Sequence, residues 1–209
     1  MTNDLTKIPL VLSFGRSGSM LLTHNIGSAI GTVPVTVTAT DKDFLKTYKL
    51  TAPVQSHRLH TLADISNFTC LFNLRKDPVN TILSMVLAKH FDVYHVWKDS
   101  SVELKPFIFD NWSGLEAHCR TYMRWCRHYT PMLNSSHYVV YYEDYIRELT
   151  DDEAYQKTFP KKSELIINYQ QVKDCVLNFK DRMLLAQEAF AKLPTYKFKS
   201  SEVAVLDNY

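Results

Sequence analysis

This chain lacks several things that would place it quickly. No stretch of its 209 residues is apolar for long enough to span a bilayer, and the run Ile8–Leu12 is too short for the core of a signal peptide. Net charge is only +2, so no broad basic surface for nucleic acid is implied, although local basic clusters remain able to hold a small anion. The four cysteines, Cys70, Cys119, Cys126 and Cys175, form no C-x-x-C pair. Reduced, mostly buried thiols are expected, which suits a cytoplasmic location. Cys119 and Cys126 stand seven apart on one helical face, but no second His/Cys pair completes a ligand set, so no metal is expected. No repeat, low-complexity tract or Pro/Gly-rich linker divides the chain, and residues 1–209 read as a single domain.

What is present alternates between two periods. Ile8–Phe14 and Phe68–Leu74 are continuous apolar runs of the kind buried on both faces of a parallel sheet, and Tyr138–Tyr142 reads as a third such strand. Val33, Val35 and Val37 alternate with small polar residues around Pro34, and Ala52–Ser56 suits a further short strand. Between them lie helical stripes. Leu22, Ile26, Ala29 and Ile30 form one, with Gly31 placed to end it. Asp77 and Pro78 open a second as N-cap and first helical residue, followed by Val79, Ile82, Leu83 and Val86. Ser113 and Glu116 have capping-box spacing ahead of Leu115, Cys119, Tyr122, Cys126 and Tyr129. The last third predicts helices over Ser163–Phe179 and Arg182–Leu193. The fold class is therefore α/β, with a mostly parallel central sheet flanked by helices.

The chemistry gathers at the end of the first strand. Gly15-Arg16-Ser17-Gly18-Ser19 offers closely spaced N–H groups, two hydroxyls and a guanidinium at a strand-to-helix turn, an arrangement that grips oxyanions. It is not the nucleoside-triphosphate loop. Position 20 is Met20 where that loop has its second glycine, and no Lys-Ser/Thr pair follows to reach β/γ-phosphates and hold Mg²⁺.

Phe14-Gly-Arg-Ser-Gly-Ser-Met-Leu-Leu22 resembles the 5′-phosphosulfate loop of sulfotransferases that use 3′-phosphoadenosine-5′-phosphosulfate. Arg16, Ser17, Gly18 and Ser19 match that family's pattern, while Met20 stands where a hydroxyl is usual. Leu74-Arg-Lys-Asp-Pro-Val-Asn-Thr-Ile-Leu-Ser84 is similar to the family's 3′-phosphate element, with Pro78 and Ser84 at the family's spacing. Its basic residue is Lys76 next to Asp77, or Arg75 one position earlier, and either is a candidate for the 3′-phosphate. Tyr138–Asp144 resembles the family's third strand, V-x-x-x-Y-E-D, which makes Tyr142 a candidate adenine contact. Glu143 and Asp144 read as a helix cap or as partners of a basic neighbour. The family's C-terminal Arg-Lys-Gly element is missing, and Lys197 and Lys199 are the residues available to replace it.

The resemblance implies a three-layer P-loop-like fold and transfer of a sulfuryl group to a hydroxyl or amine acceptor by in-line displacement, with no metal. Val54-Gln-Ser-His-Arg58 is similar to the family's Lys-Ser/Thr-His segment, so His57 is the candidate general base. Gln55 stands in place of the usual lysine, with Arg58 as the nearest cation. His60, His24 and Asp64 are the alternatives to His57. Arg16 and the loop N–H groups are expected to stabilise the charge that develops on transfer. Phe91, Tyr94, Trp97 and Trp112 serve either the core or a pocket for a small-molecule, glycan or lipid acceptor. Neither nucleic acid nor stable membrane insertion is expected, and a homo-oligomer stays open. The alternative readings are a non-catalytic nucleotide-binding relative of sulfotransferases and a divergent P-loop small-molecule kinase.

Overall fold

The computed structural model describes residues 10–15, 17, 19–33, 35–37, 52–56, 65, 68–92, 104–149 and 160–196. Among these, five strands form one all-parallel sheet in the order β2-β3-β1-β4-β5. They are β1 (Leu10–Ser13), β2 (Val35–Val37), β3 (Val54–Ser56), β4 (Cys70–Leu74) and β5 (Tyr138–Tyr141). β1 lies at the centre, with Leu12 opposite Ser56 of β3 and Phe72 of β4.

The apolar runs are continuous because each strand is covered on both faces. Leu10, Leu12, Phe14, Phe72 and Leu74 enter the larger core with helices α2 (Pro78–His90), α3 (Trp112–Tyr129), α6 (Tyr169–Leu177) and α7 (Lys180–Gln187). Their odd-numbered neighbours Val11 and Leu71 pack with Val140 against Leu22 and Ile26 of α1 (Ser19–Ala29), Tyr145 of α4 (Tyr142–Leu149) and Tyr196. Large rings fill the first core: Phe72 meets Trp125, Tyr129, His137 and Phe190 edge-on.

The chain leaves β1 towards one edge of the sheet and leaves β4 towards the other. β1 and β4 are neighbours, so the crevice beyond their carboxyl ends is a switch point, the place where open α/β sheets bind ligands. The outer edge of β5 is covered. Val139 pairs in parallel with Thr195, its N–H donating to Pro194 O (3.1 Å) while Tyr196 N–H donates to Val139 O (3.0 Å).

Local signals worked where the chemistry is local. Asp77 caps α2 by accepting from Val79 N–H (3.1 Å), with Pro78 in the first turn. Gly31 has φ +69° and Thr32 N–H donates to Gly27 O (2.8 Å), closing α1 with a left-handed residue. Four expectations need correction. The cap of α3 is Asn111, which accepts from Gly114 N–H (3.0 Å), so Ser113 lies inside the first turn and there is no Ser113–Glu116 box. The helix expected over Ser163–Phe179 is broken into α5 (Lys162–Leu165) and α6, because Ile166, buried in the main core, takes extended backbone and bridges Phe107. Asn168 fixes that bridge with both ends of its amide on the Phe109 backbone (2.9 and 2.8 Å). The helix expected over Arg182–Leu193 starts earlier, as α7, and tightens into a 3₁₀ turn over Glu188–Lys192. Val33 precedes β2 and is 82% exposed, so the alternation overstates that strand.

Among the described residues, no helix is long and apolar enough to cross a membrane. Among the described residues, no group of three or more His, Cys, Asp or Glu is placed to hold a metal. Burial pushes the thiols of Cys119 and Cys126 up to about 12, so both stay protonated at neutral pH.

Candidate functional site

The loop after β1 is shaped by its neighbours on β4, α2 and α4. Gly15 has φ +38°, and a Cβ there would stand 3.1 Å from Met85 Cε of α2. Only glycine meets both constraints without strain. Ser17 is 1% exposed. Its carbonyl accepts two hydrogen bonds, from Asn73 Nδ2 (2.9 Å) and from the Tyr145 hydroxyl (2.9 Å). Asn73 Nδ2 also donates to the Tyr145 oxygen (3.1 Å), closing a three-membered polar knot beneath the loop. Tyr145 is wholly buried, and desolvation holds its phenol far above the usual value, so it remains a neutral donor.

Ser17 Oγ and Asn73 Oδ1 are both buried without a hydrogen-bond partner among the described residues. Such orphans are rare in folded proteins and each calls for an explanation. Ser19 opens α1, with no acidic residue in the first turn to offset the positive end of the helix dipole. Its hydroxyl accepts from Gln55 Nε2 (2.8 Å), so the residue standing in place of a lysine tethers the loop to β3. Met20 lies in the same first turn. Arg16 and Gly18 fall outside the described residues.

The second element begins two residues beyond Asn73. The peptide group joining Arg75 to Lys76 is held at both polar ends. Gln187 Nε2 donates to Arg75 O (3.0 Å), and Lys76 N–H donates to Glu143 Oε2 (2.9 Å). The Arg75 guanidinium lies 4.3 Å from the centroid of the Tyr142 ring, a cation–π contact. Lys76 Nζ forms an ion pair with Asp144. Glu143 and Asp144 therefore both serve the turn after β4, as partners of a basic neighbour. Ser84 is buried within α2, one residue before the Met85 that faces Gly15. Tyr142 is the first residue of α4 and meets Tyr145 edge-on at 5.7 Å.

The structure thus places Gly15, Ser17 and Ser19 after β1, Arg75 and Lys76 after the adjacent β4, Ser84 on α2 and Tyr142 at the start of α4. His57, Arg58, His60 and Asp64 lie outside the described residues, as do Lys197 and Lys199. β3 ends at Ser56, level with Leu12 of β1, and the parallel bridge at Thr195 runs the chain alongside β5 towards the same end of the sheet. His24 sits on α1, and burial lowers its pKa. Of the aromatic candidates, Phe91 packs against the main core and Trp112 is 38% exposed against Phe109, while Tyr94 and Trp97 are outside the described residues.

Asn73, Tyr145, Tyr122 and Gln187 are functional-site neighbours that sequence reasoning missed. Asn73 was findable, as the single polar residue inside the apolar strand Cys70–Leu74. Gln187 leaves no local trace. It is 6% exposed, at the end of α7, and its Oε1 accepts from the Tyr122 hydroxyl (2.7 Å). Together with Lys76, Tyr141, Leu184, Glu188 and Ala191 it lines an open groove of about 290 Å³ beside the turn. No protein-family model, curated protein or solved structure matches this chain.

Proposed function

We propose that this chain is a sulfotransferase that takes a sulfuryl group from 3′-phosphoadenosine-5′-phosphosulfate and passes it to a hydroxyl or amine acceptor. One observation carries the reading. The Gly15–Ser19 loop and the Arg75–Lys76 turn leave adjacent strands at the switch point, and Asn73 ties the first to the strand that delivers the second. Two anion-seeking elements so joined suit a single ligand charged at both ends.

The residues at hand fit such a donor. The orphaned Ser17 hydroxyl and the uncompensated start of α1 suit its 5′ end. Arg75 suits the 3′-phosphate better than Lys76, because a guanidinium fork matches phosphate oxygens that an ammonium meets only as a point charge. Ser84 and Lys197 or Lys199 are further candidates there, and Tyr142 offers a ring for adenine once Arg75 moves off its face. His57 takes the proton of the acceptor hydroxyl as its oxygen bonds to sulfur. The bond from sulfur to the bridging oxygen breaks, and its electron pair stays with the 5′-phosphate. Arg16 and the loop N–H groups stabilise the charge that builds on that oxygen.

Calorimetry with 3′-phosphoadenosine-5′-phosphate, followed by labelled-sulfate transfer to phenols, sugars and lipid headgroups, tests the reading. Binding with transfer supports it, whereas absence of binding ends it. Binding without transfer to any acceptor favours a non-catalytic nucleotide-binding protein, a second reading supported by the Gln55 amide tethered to Ser19 where the family carries a cation. Turnover of ATP with Mg²⁺ instead would mark a small-molecule kinase.

A further inference from the structure

We infer that Gln187 is a positioning residue which, with Glu143, locks the Arg75–Lys76 peptide and thereby sets selectivity for a 3′-phosphorylated nucleotide. This rests on the sulfotransferase reading for its ligand but not for its geometry. A trans peptide group carries its carbonyl and its N–H on opposite sides of one rigid plane. Here both are captured, the Arg75 carbonyl by the Gln187 amide and the Lys76 N–H by the Glu143 carboxylate.

The two captors come from different helices, α7 and α4, which belong to opposite sides of the sheet. The plane is therefore fixed like a plate bolted at both ends, and the Arg75 and Lys76 Cα atoms that lie in it are held with it. Arg75 goes to the Tyr142 ring and Lys76 to Asp144. Gln187 is itself fixed. The Tyr122 hydroxyl occupies its Oε1, and burial keeps that phenol protonated and able to donate. The orientation of the amide follows from these partners, because its nitrogen must face a carbonyl and its oxygen a hydroxyl. A side chain held in this way acts on ligand binding through Arg75 without needing to touch the ligand.

The test compares 3′-phosphoadenosine-5′-phosphate with adenosine 5′-monophosphate on the full chain by calorimetry. Gln187→Glu keeps the side-chain length and the bond from Tyr122 but puts an acceptor where the Arg75 carbonyl needs a donor. The expected result is that the bisphosphate loses affinity about tenfold while the monophosphate changes less than about twofold. Tyr122→Phe, which frees the far end of Gln187, should move the same ratio in the same direction by less. Should Gln187→Glu not fold, Gln187→Met takes its place. An unchanged ratio overturns the inference, and so does an equal loss for both ligands, which would mean simple destabilisation. If the wild-type chain does not prefer the bisphosphate, the sulfotransferase reading fails instead. Hydrogen exchange on the ligand-free protein then decides the clamp alone. Faster exchange at the Lys76 amide in Gln187→Glu, with Leu10–Ser13 unchanged, upholds it, and equal exchange overturns it.

Discussion

The hydroxyl of Tyr145 donates to the carbonyl of Ser17 across 2.9 Å, although 128 residues separate the two in the chain. Loop shape at the switch point is thus written partly into α4. Tyr145→Phe keeps the ring and removes only the donor, leaving Asn73 Nδ2 as the remaining partner of that carbonyl. Urea denaturation should show a loss of about 1 kcal/mol, the usual worth of one such bond. Calorimetry should show weaker binding of 3′-phosphoadenosine-5′-phosphate, with its adenosine-only analogue little affected.

Gly15→Ala meets two penalties at once, a left-handed φ and a contact with Met85 Cε. The φ alone costs about 1–2 kcal/mol for a residue with a Cβ. Adding Met85→Ala relieves the contact but not the φ. The double variant should therefore recover only part of the melting temperature lost by Gly15→Ala. Full recovery would mean that the loop relaxes to an ordinary φ.

Arg75→Ala and Lys76→Ala should separate cleanly. Arg75→Ala removes the proposed fork for the 3′-phosphate, so the advantage of the bisphosphate over the monophosphate should fall by about tenfold or more. Lys76 is half-exposed and paired with Asp144, an arrangement whose net worth is typically about 0–1 kcal/mol and which salt screens. Lys76→Ala should alter the salt dependence of binding more than its strength at moderate ionic strength.

Arg16→Ala should bring labelled-sulfate transfer down by about 10²–10³, the usual cost of one preorganised donor to developing charge. A transfer rate equal to that of the wild-type chain would dismiss the mechanism. The melting temperature serves as the control for folding.

Acid should destabilise the fold in a window set by buried histidine. His137 is fully enclosed against Phe72, and desolvation holds its pKa below the usual 6.5. The unfolded chain therefore takes up a proton more readily than the folded one. Stability is greatest above 6.5 and falls as pH drops below it towards the lowered folded value. Replacing His137 with Asn should flatten the slope of stability between pH 6.5 and the folded value. An unchanged slope would assign the acid loss to other groups, such as His118, whose pKa burial also lowers.

The strand, loop and helix at the front of the chain could be read from the letters because each rule involved acts within one turn or one strand. The same holds for Asp77-Pro78, where the capping side chain and its amide are two residues apart. The cap of α3 was misread because Asn111 and Ser113 both suit an N-cap, and only the fold-back of Asn111 onto Gly114 N–H separates them. Leu165-Ile166-Ile167 fits either period, so the break in that helix was decided by Phe107, some sixty positions away. The site divides in the same way. Gly15, Ser17 and Ser19 announce themselves by local spacing, whereas Asn73, Tyr145 and Gln187 matter only through partners 56, 128 and 112 residues distant.

That dispersal has a bearing on synthesis. When the Gly15 loop leaves the ribosome, the Tyr145 hydroxyl that steadies its carbonyl has not yet been made, and Gln187 follows later still. Domains complete themselves as units during translation. A nascent chain halted before Tyr145 would carry the Gly15 loop without the hydroxyl that helps hold it in shape. The shape of this loop is therefore a property the polypeptide acquires late, after α4 has docked.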